Sequence, residues 1–149
     1  MPLSENKSTL ATALSHWNPG DLETYLTLYD EDAVLHFLPP GMPQGVVGAR
    51  LYYQAFFAAF SDATIEVNLL VEEGDRVACL FTMTGTHTGE FNGIPPTGKP
   101  MRVSGISILR FDGGKCVERW NEMDSMGLLQ QIGVIPAPQA AQHLPGMPT

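Results

Sequence analysis

Asp124, His87 and His36 are the side chains of this sequence whose type and setting could move a proton. Asp124 closes a segment, Lys115–Met123, whose alternation reads as a strand. With a period of two, Glu118, Trp120, Glu122 and Asp124 share one face, and Val117, Arg119, Asn121 and Met123 the other. Acids and a tryptophan on one face are odd for a solid core. Where part of that face lines a cavity, the deepest acid loses hydration and its pKa rises. It then becomes a usable general acid/base near neutral pH. Asp124 also precedes a helical pattern and is a good N-cap type, so capping and catalysis stand as two readings of one residue.

His87 lies in Gly85-Thr86-His87-Thr88-Gly89 and alternates in phase with Phe81 and Met83. It could orient a carboxylate or share its proton, or it could simply order the turn. His36, between Leu35 and Phe37, reads equally as a cavity-lining group or a partly buried, hydrogen-bonded histidine. Tyr25, Tyr29, Tyr52 and Tyr53 fall in helical segments. A tyrosine on the cavity side could donate to a developing enolate oxygen; otherwise these are core rings with hydroxyls at the rim. Arg110 sits in an apolar strand and needs a carboxylate if buried, with Glu118 on the next strand the natural partner. No metal site is expected, because His36 and His87 lack ligand spacing. Ser104 and Ser107 have no nucleophile-elbow glycines around them. Cys79 and Cys116 lack CxxC spacing and read as buried free thiols.

The elements that must position these groups follow from periodicity. Leu10, Leu14 and Trp17 mark one helix face, ending near Asn18-Pro19-Gly20. Asp21 caps a second helix with Leu22, Tyr25, Leu26 and Tyr29 on one face, and Asp32–Leu38 reads as a short strand. Gly48 opens a third helix with Tyr52, Ala55, Phe56, Ala59 and Phe60 on one side. Long strands follow over 64–72, 76–88, 101–111 and 115–123, with Asp112-Gly113-Gly114 a hairpin turn and Gly/Pro-rich 88–99 a loop carrying Phe91. Asp124 begins a short helix that ends at Gly133. Helices first and hairpin-ordered strands after imply an α+β domain, with N-terminal helices packed on one face of a curved, mostly antiparallel sheet. Such long strands can curl and leave a cone-shaped hollow. Residues 1–133 form this domain, and 134–149 a Pro/Ala-rich tail that docks on a neighbour or stays mobile.

The 149 residues carry 8 basic and 16 acidic side chains, a net charge of −8, which argues against a nucleic-acid partner. Charged residues are 16% and hydrophobic residues 44% of the chain, so apolar material is in surplus and some of it can line a cavity. No apolar run approaches the roughly 18 residues of a membrane span. The polar start, residues 1–10, shows no signal peptide, and the cytoplasm is the expected location.

Trp17 with Gly20-Asp21, Tyr29 and Asp32-Ala33-Val34-Leu35-His36 resembles the start of SnoaL-like polyketide cyclases. The resemblance continues through Gly85-Thr86-His87-Thr88-Gly89-Glu90-Phe91, Gly93-Ile94-Pro95-Pro96-Thr97-Gly98-Lys99 and Arg110-Phe111-Asp112-Gly113-Gly114-Lys115. It closes on Val117-Glu118, Trp120, Asp124 and Gly127-Leu128-Leu129-Gln130-Gln131-Ile132-Gly133, covering about residues 10–133. It implies the nuclear-transport-factor-2-like fold, a cone-shaped half-barrel with a hydrophobic pocket, in a homodimer or homotetramer. It further implies intramolecular aldol condensation on an apolar, carbonyl-bearing, polyketide-like small molecule, with no metal and no organic cofactor. The family's general acid/base aspartate matches Asp124. Its supporting histidine on the preceding strand is missing from Ser107-Ile108-Leu109-Arg110, leaving His87 or His36 to substitute, or a different activity. The expected pocket wall is Trp120, Phe81, Met83, Tyr29, Tyr52, Phe56 and Phe91. Isomerisation, dehydration and epoxide opening (through Asp124, Arg110 and Glu118) are alternatives on the same scaffold. So is a non-catalytic ligand-binding module, which would leave Asp124 exposed or wholly engaged as a helix cap.

Overall fold

Residues 4–136 are described by the computed structural model. Helix α1 (Glu5–Trp17) starts where the Ser4 side chain accepts the Lys7 N–H, and it buries Leu10, Ala13, Leu14 and Trp17 along one stripe. Asp21 caps α2 (Leu22–Tyr25) by accepting from Thr24 N–H. This helix is shorter than its apolar face suggests. After a 3-10 turn, Leu26–Leu28, the chain straightens into β1 (Tyr29–Leu35). Tyr29 thus opens a strand rather than closing a helix, and β1 runs three residues ahead of the expected Asp32–Leu38. The cause is tertiary: β1 pairs in parallel with the last strand, Tyr29 opposite Cys116 and Leu35 opposite Arg119, and sheet pairing overrides local helical pattern.

Helix α3 (Gly45–Ala59) begins before Gly48. Gly48 is needed for packing instead, because a Cβ there would stand 1.7 Å from the Pro43 carbonyl oxygen. The remaining strands are β2 (Thr64–Glu73), β3 (Arg76–Thr86), β4 (Pro100–Asp112) and β5 (Lys115–Met123), followed by α4 (Ser125–Gln131). The open five-stranded sheet has the order β1-β5-β4-β3-β2, antiparallel except for the β1–β5 pair. Helices cover one face. Strict alternation in β3 and β4 sends Val77, Cys79, Phe81 and Met83, and Met101, Val103, Ser107 and Leu109, to that face. Asn18 stitches the end of α1 to the sheet, accepting from Ile65 N–H at 2.8 Å and donating to its carbonyl at 3.1 Å. The 134–149 tail lies, from residue 137 onward, outside the described residues, as does His143.

Cys79 and Cys116 are free and buried, as expected. Burial pushes the Cys116 thiol up to about 11, and Cys79 is raised for the same reason. Both should therefore resist a thiol-disulfide reagent at pH 8 in the native protein and react fully in denaturant. Rapid native labelling of either would show that the strand face is open.

Candidate functional site

Between α3, the β1 end, the 88–99 loop and α4 opens a cavity of about 400 Å³. Its wall is mostly apolar (Phe37, Pro39, Met42, Tyr52, Phe56, Phe91, Met123, Leu128, Leu129), with Glu90, Asn92 and Ser125 as polar members. Phe37, Tyr52, Phe56 and Met123 also line a second, inner space of about 40 Å³, so the second continues the first. The inner space is bounded by Trp17, Tyr25, Tyr53, Phe81, Met83, Arg119 and Asn121. The arrangement is a cone whose wide mouth narrows to a small, largely apolar inner space with the Arg119 guanidinium and the Asn121 amide at its base.

Arg119 builds that base. β5 carries it inward, opposite Leu109 on β4 and Leu35 on β1, both buried. Its Nη1 donates to the hydroxyls of Tyr29 (2.5 Å), Tyr25 (2.8 Å) and Tyr53 (3.3 Å), and its Nη2 to Ser107 Oγ (2.8 Å). Ser107 in turn donates to Asn121 Oδ1 at 2.7 Å. The tyrosine hydroxyls contact one another, Tyr29 to Tyr53 at 2.7 Å and Tyr25 to Tyr29 at 3.2 Å. Burial drives the Tyr29 and Tyr53 pKa values well up, so these rings stay neutral O–H donors. The half-buried Tyr52 is raised by the same cause.

Tyr52, Phe56 and Phe91 line the mouth, and Phe81 and Met83 the inner space. Tyr29 stands behind the wall, acting through Arg119 and Tyr53. Trp120 is corrected. A bulge opposite Arg110–Phe111 breaks the two-residue alternation of β5, so that Cys116 and Arg119 are both inside. From Glu118 on the alternation holds, but the inward face is the opposite one, with Arg119, Asn121 and Met123 toward the helices. Trp120 lies on the outer sheet face, its ring stacked on His36 at 5.0 Å. Desolvation decides this. The acids of the outer face keep water or find partners there, whereas Arg119 meets a ready set of hydroxyl acceptors inside. Glu118 receives His36 Nε2–H at 2.7 Å and Arg110 Nε–H at 3.1 Å. His36 is accordingly a partner of Glu118, and Arg110 reaches Glu118 and no other acid among the described residues.

His87 is fully buried and faces the same side as Phe81 and Met83. Its Nδ1 accepts from Thr97 N–H at 3.2 Å and bonds Thr97 Oγ1 at 3.0 Å, and its ring stacks on Phe60. It secures the 88–99 loop and bonds no carboxylate. Asp124 is exposed, and its Oδ1 accepts Gly127 N–H at 2.9 Å as the N-cap of α4. Its chain neighbours Met123 and Ser125 line the mouth, but Asp124 does not; it lies with Glu122, Leu80 and Ile106 beside a depression on the outer sheet face. The residues unmarked by sequence pattern were Arg119, Asn121 and Glu90. The available signals were an arginine between Val117 and Met123 on one strand face and tyrosines four apart at 25 and 29. No group of three or more metal-ligating side chains occurs among the described residues.

Helices on an open, mostly antiparallel sheet, enclosing a small-molecule-sized cone, define a nuclear-transport-factor-2-like pocket protein. The chain belongs to the SnoaL-like polyketide cyclase family, whose profile matches residues 8–132. Among solved structures it is similar to AclR, a proposed hydroxylase from Streptomyces galilaeus (29% identity, 93% of this chain and 87% of that one, TM-score 0.82). It is likewise similar to IdmH, a proposed polyketide cyclase from Streptomyces antibioticus (36% identity, 88% and 100%, TM-score 0.77). TsrD from Streptomyces laurentii shares the fold at 24% identity (91% and 99%, TM-score 0.81). A search of curated proteins finds no match to the chain.

Glu118 tests the outer-face assignment. The His36 hydrogen bond, then Arg110, holds its pKa below the ordinary 4.5. A carboxylate depressed on folding stabilises the fold above its unfolded pKa, and that contribution is lost as pH falls through the folded value. Glu118→Gln should lower the denaturation midpoint at pH 7, with the gap to native closing as pH is taken below 4.5. A gap that persists in acid would contradict the assignment.

Proposed function

We propose that the chain is a small-molecule cyclase using cofactor-independent general acid/base chemistry of the intramolecular aldol type. Its substrate is apolar, carbonyl-bearing and polyketide-like. The observation that carries this reading is the joined pair of cavities, an apolar mouth that ends in hydroxyl and amide donors and one guanidinium. A mouth of about 400 Å³ suits a small organic molecule. A carbonyl oxygen directed toward the base meets preorganised donors that hold it more strongly as it becomes an enolate. A carboxylate takes the proton alpha to that carbonyl, the enolate carbon attacks a second carbonyl, and the same acid returns the proton to the new alkoxide.

Two carboxylates stand near the mouth. Glu90 is in its wall; Asp124, the family-matched aspartate, stands between the mouth-lining Met123 and Ser125 but on the outer-face side, and must release Gly127 to turn inward. We assign the proton transfer to this pair of positions and separate them by experiment. With a linear poly-β-keto methyl ester as probe, Glu90→Gln is expected to cut turnover by about 100-fold or more. Asp124→Asn should then keep turnover and the cap, since Asn caps a helix as well as Asp, whereas Asp124→Ala should lose about 1 kcal/mol of stability. Loss in Asp124→Asn alone would return the role to that residue. Full activity in both would remove the proton transfer from these carboxylates, and a native chain that binds the probe without turning it over would favour the second reading, a non-catalytic ligand carrier, which the engagement of Asp124 as a cap supports.

Self-association is a separate proposal. Leu69, Val71, Leu80, Ile106 and Ile108 are exposed together on the outer sheet face, an apolar patch suited to a second copy. Light scattering should give a dimer mass for the native chain and a monomer mass for Ile106→Lys. A native monomer would overturn it.

A further inference from the structure

Arg119 is 8% exposed, and a guanidinium stays protonated wherever it sits. A buried cation ordinarily has a carboxylate beside it. Arg119 has none: its hydrogen-bond partners are the hydroxyls of Tyr25, Tyr29, Tyr53 and Ser107. The ion pairs of the described residues do not include it. The Phe37 ring, 5.5 Å from its central carbon, offers only a quadrupole.

The inner space is also rich in donors and poor in acceptors. Arg119 Nε–H and Trp17 Nε1–H are buried with no hydrogen-bond partner. Asn121 uses its carbonyl oxygen to accept from Ser107, and its amide N–H groups bond no protein atom among the described residues. These three residues line the same space of about 40 Å³, which holds little more than one or two oxygen atoms. Water there could accept the orphaned hydrogens but could not balance the charge. An anionic oxygen does both.

Resting on the cone as the small-molecule site, we infer that its base is a recognition site for the delocalised oxygen anion of an acidic substrate. The shared chemistry is a carboxylate or an enolised 1,3-dicarbonyl carried on an apolar body. The charged oxygens sit against Arg119, Trp17 and Asn121, and the apolar body fills the mouth. Selection then works by charge as well as by shape: a neutral ester or ketone of the same outline leaves the guanidinium unbalanced.

Titration calorimetry on the full chain at pH 7 tests this with two matched pairs. 2-Naphthoate against methyl 2-naphthoate probes the carboxylate, and 1,3-indandione against 2-indanone the enolised dicarbonyl. At least one acid is expected to bind tenfold or more tighter than its neutral partner, and which pair discriminates identifies the anion. Arg119→Met should erase that preference. Asn121→Leu, which leaves the tyrosine cluster intact, should reduce it and serves where Arg119→Met does not fold. Equal binding of acid and neutral partner, or a preference that survives in a folded Arg119→Met, overturns the inference while leaving the cone as the ligand site. No binding by any of the four compounds overturns both.

Discussion

A guanidinium placed inside an apolar layer must have its N–H groups met, and in this protein that requirement orders the helices around the sheet. Removing the Arg119 charge from water costs several kcal/mol, offset only by good acceptors. The acceptors come from separate elements: Tyr25 from the end of α2, Tyr29 from the start of β1, Tyr53 from α3 and Ser107 from β4. A hydrogen bond to a charged group contributes about 1.5–3 kcal/mol, so the cluster has weight comparable to the burial cost. Trp17 of α1 braces it edge-on, with ring centroids 5.0 Å from Tyr25 and 5.2 Å from Tyr53. One side chain of β5 therefore sets where four helical and strand segments sit.

The same cluster divides the cone chemically. Cationic and hydroxyl donors collect at the base, and a carboxylate, Glu90, stands in the wall of the mouth. Had an acid been placed beside Arg119, the two would have closed on each other as an ion pair and cancelled as ligands for anything else. Separation keeps the donors available to a ligand. On the outer sheet face the opposite choice was made: Glu118 is consumed by His36 and Arg110.

Much of this was legible from local pattern. The Ser107–Arg110 stretch, the strand lengths, the Asp21 and Asp124 caps and the Arg110–Glu118 pair follow from alternation, residue type and neighbouring register. The alternation of β5 was readable as well. Its inward face was not, because Glu118, Trp120 and Glu122 on one side and Val117, Arg119 and Asn121 on the other are both mixed. A period of two groups side chains into faces, but which face is buried depends on the partners each face finds. The His87 placement shows the same limit: its phase with Phe81 and Met83 was visible, and Thr97 as its partner was not.

The sequence by itself determined the class of fold, the order of elements, the family and the apolar character of the pocket, since these rest on periodicity, turn chemistry and motifs close together in the chain. Only the tertiary structure decided the site. Arg119 and Tyr25 are 94 positions apart, and Arg119 and Tyr53 66. No local signal announces that these hydroxyls converge on one guanidinium. Asp124 illustrates the converse: its type and position suited both a cap and a proton carrier, and the course of β5 into α4 set its carboxylate on Gly127, outside the cavity lining. The physical reason is common to both. Burial and hydrogen-bond satisfaction are properties of the packed whole, and they fix which polar groups face the cavity.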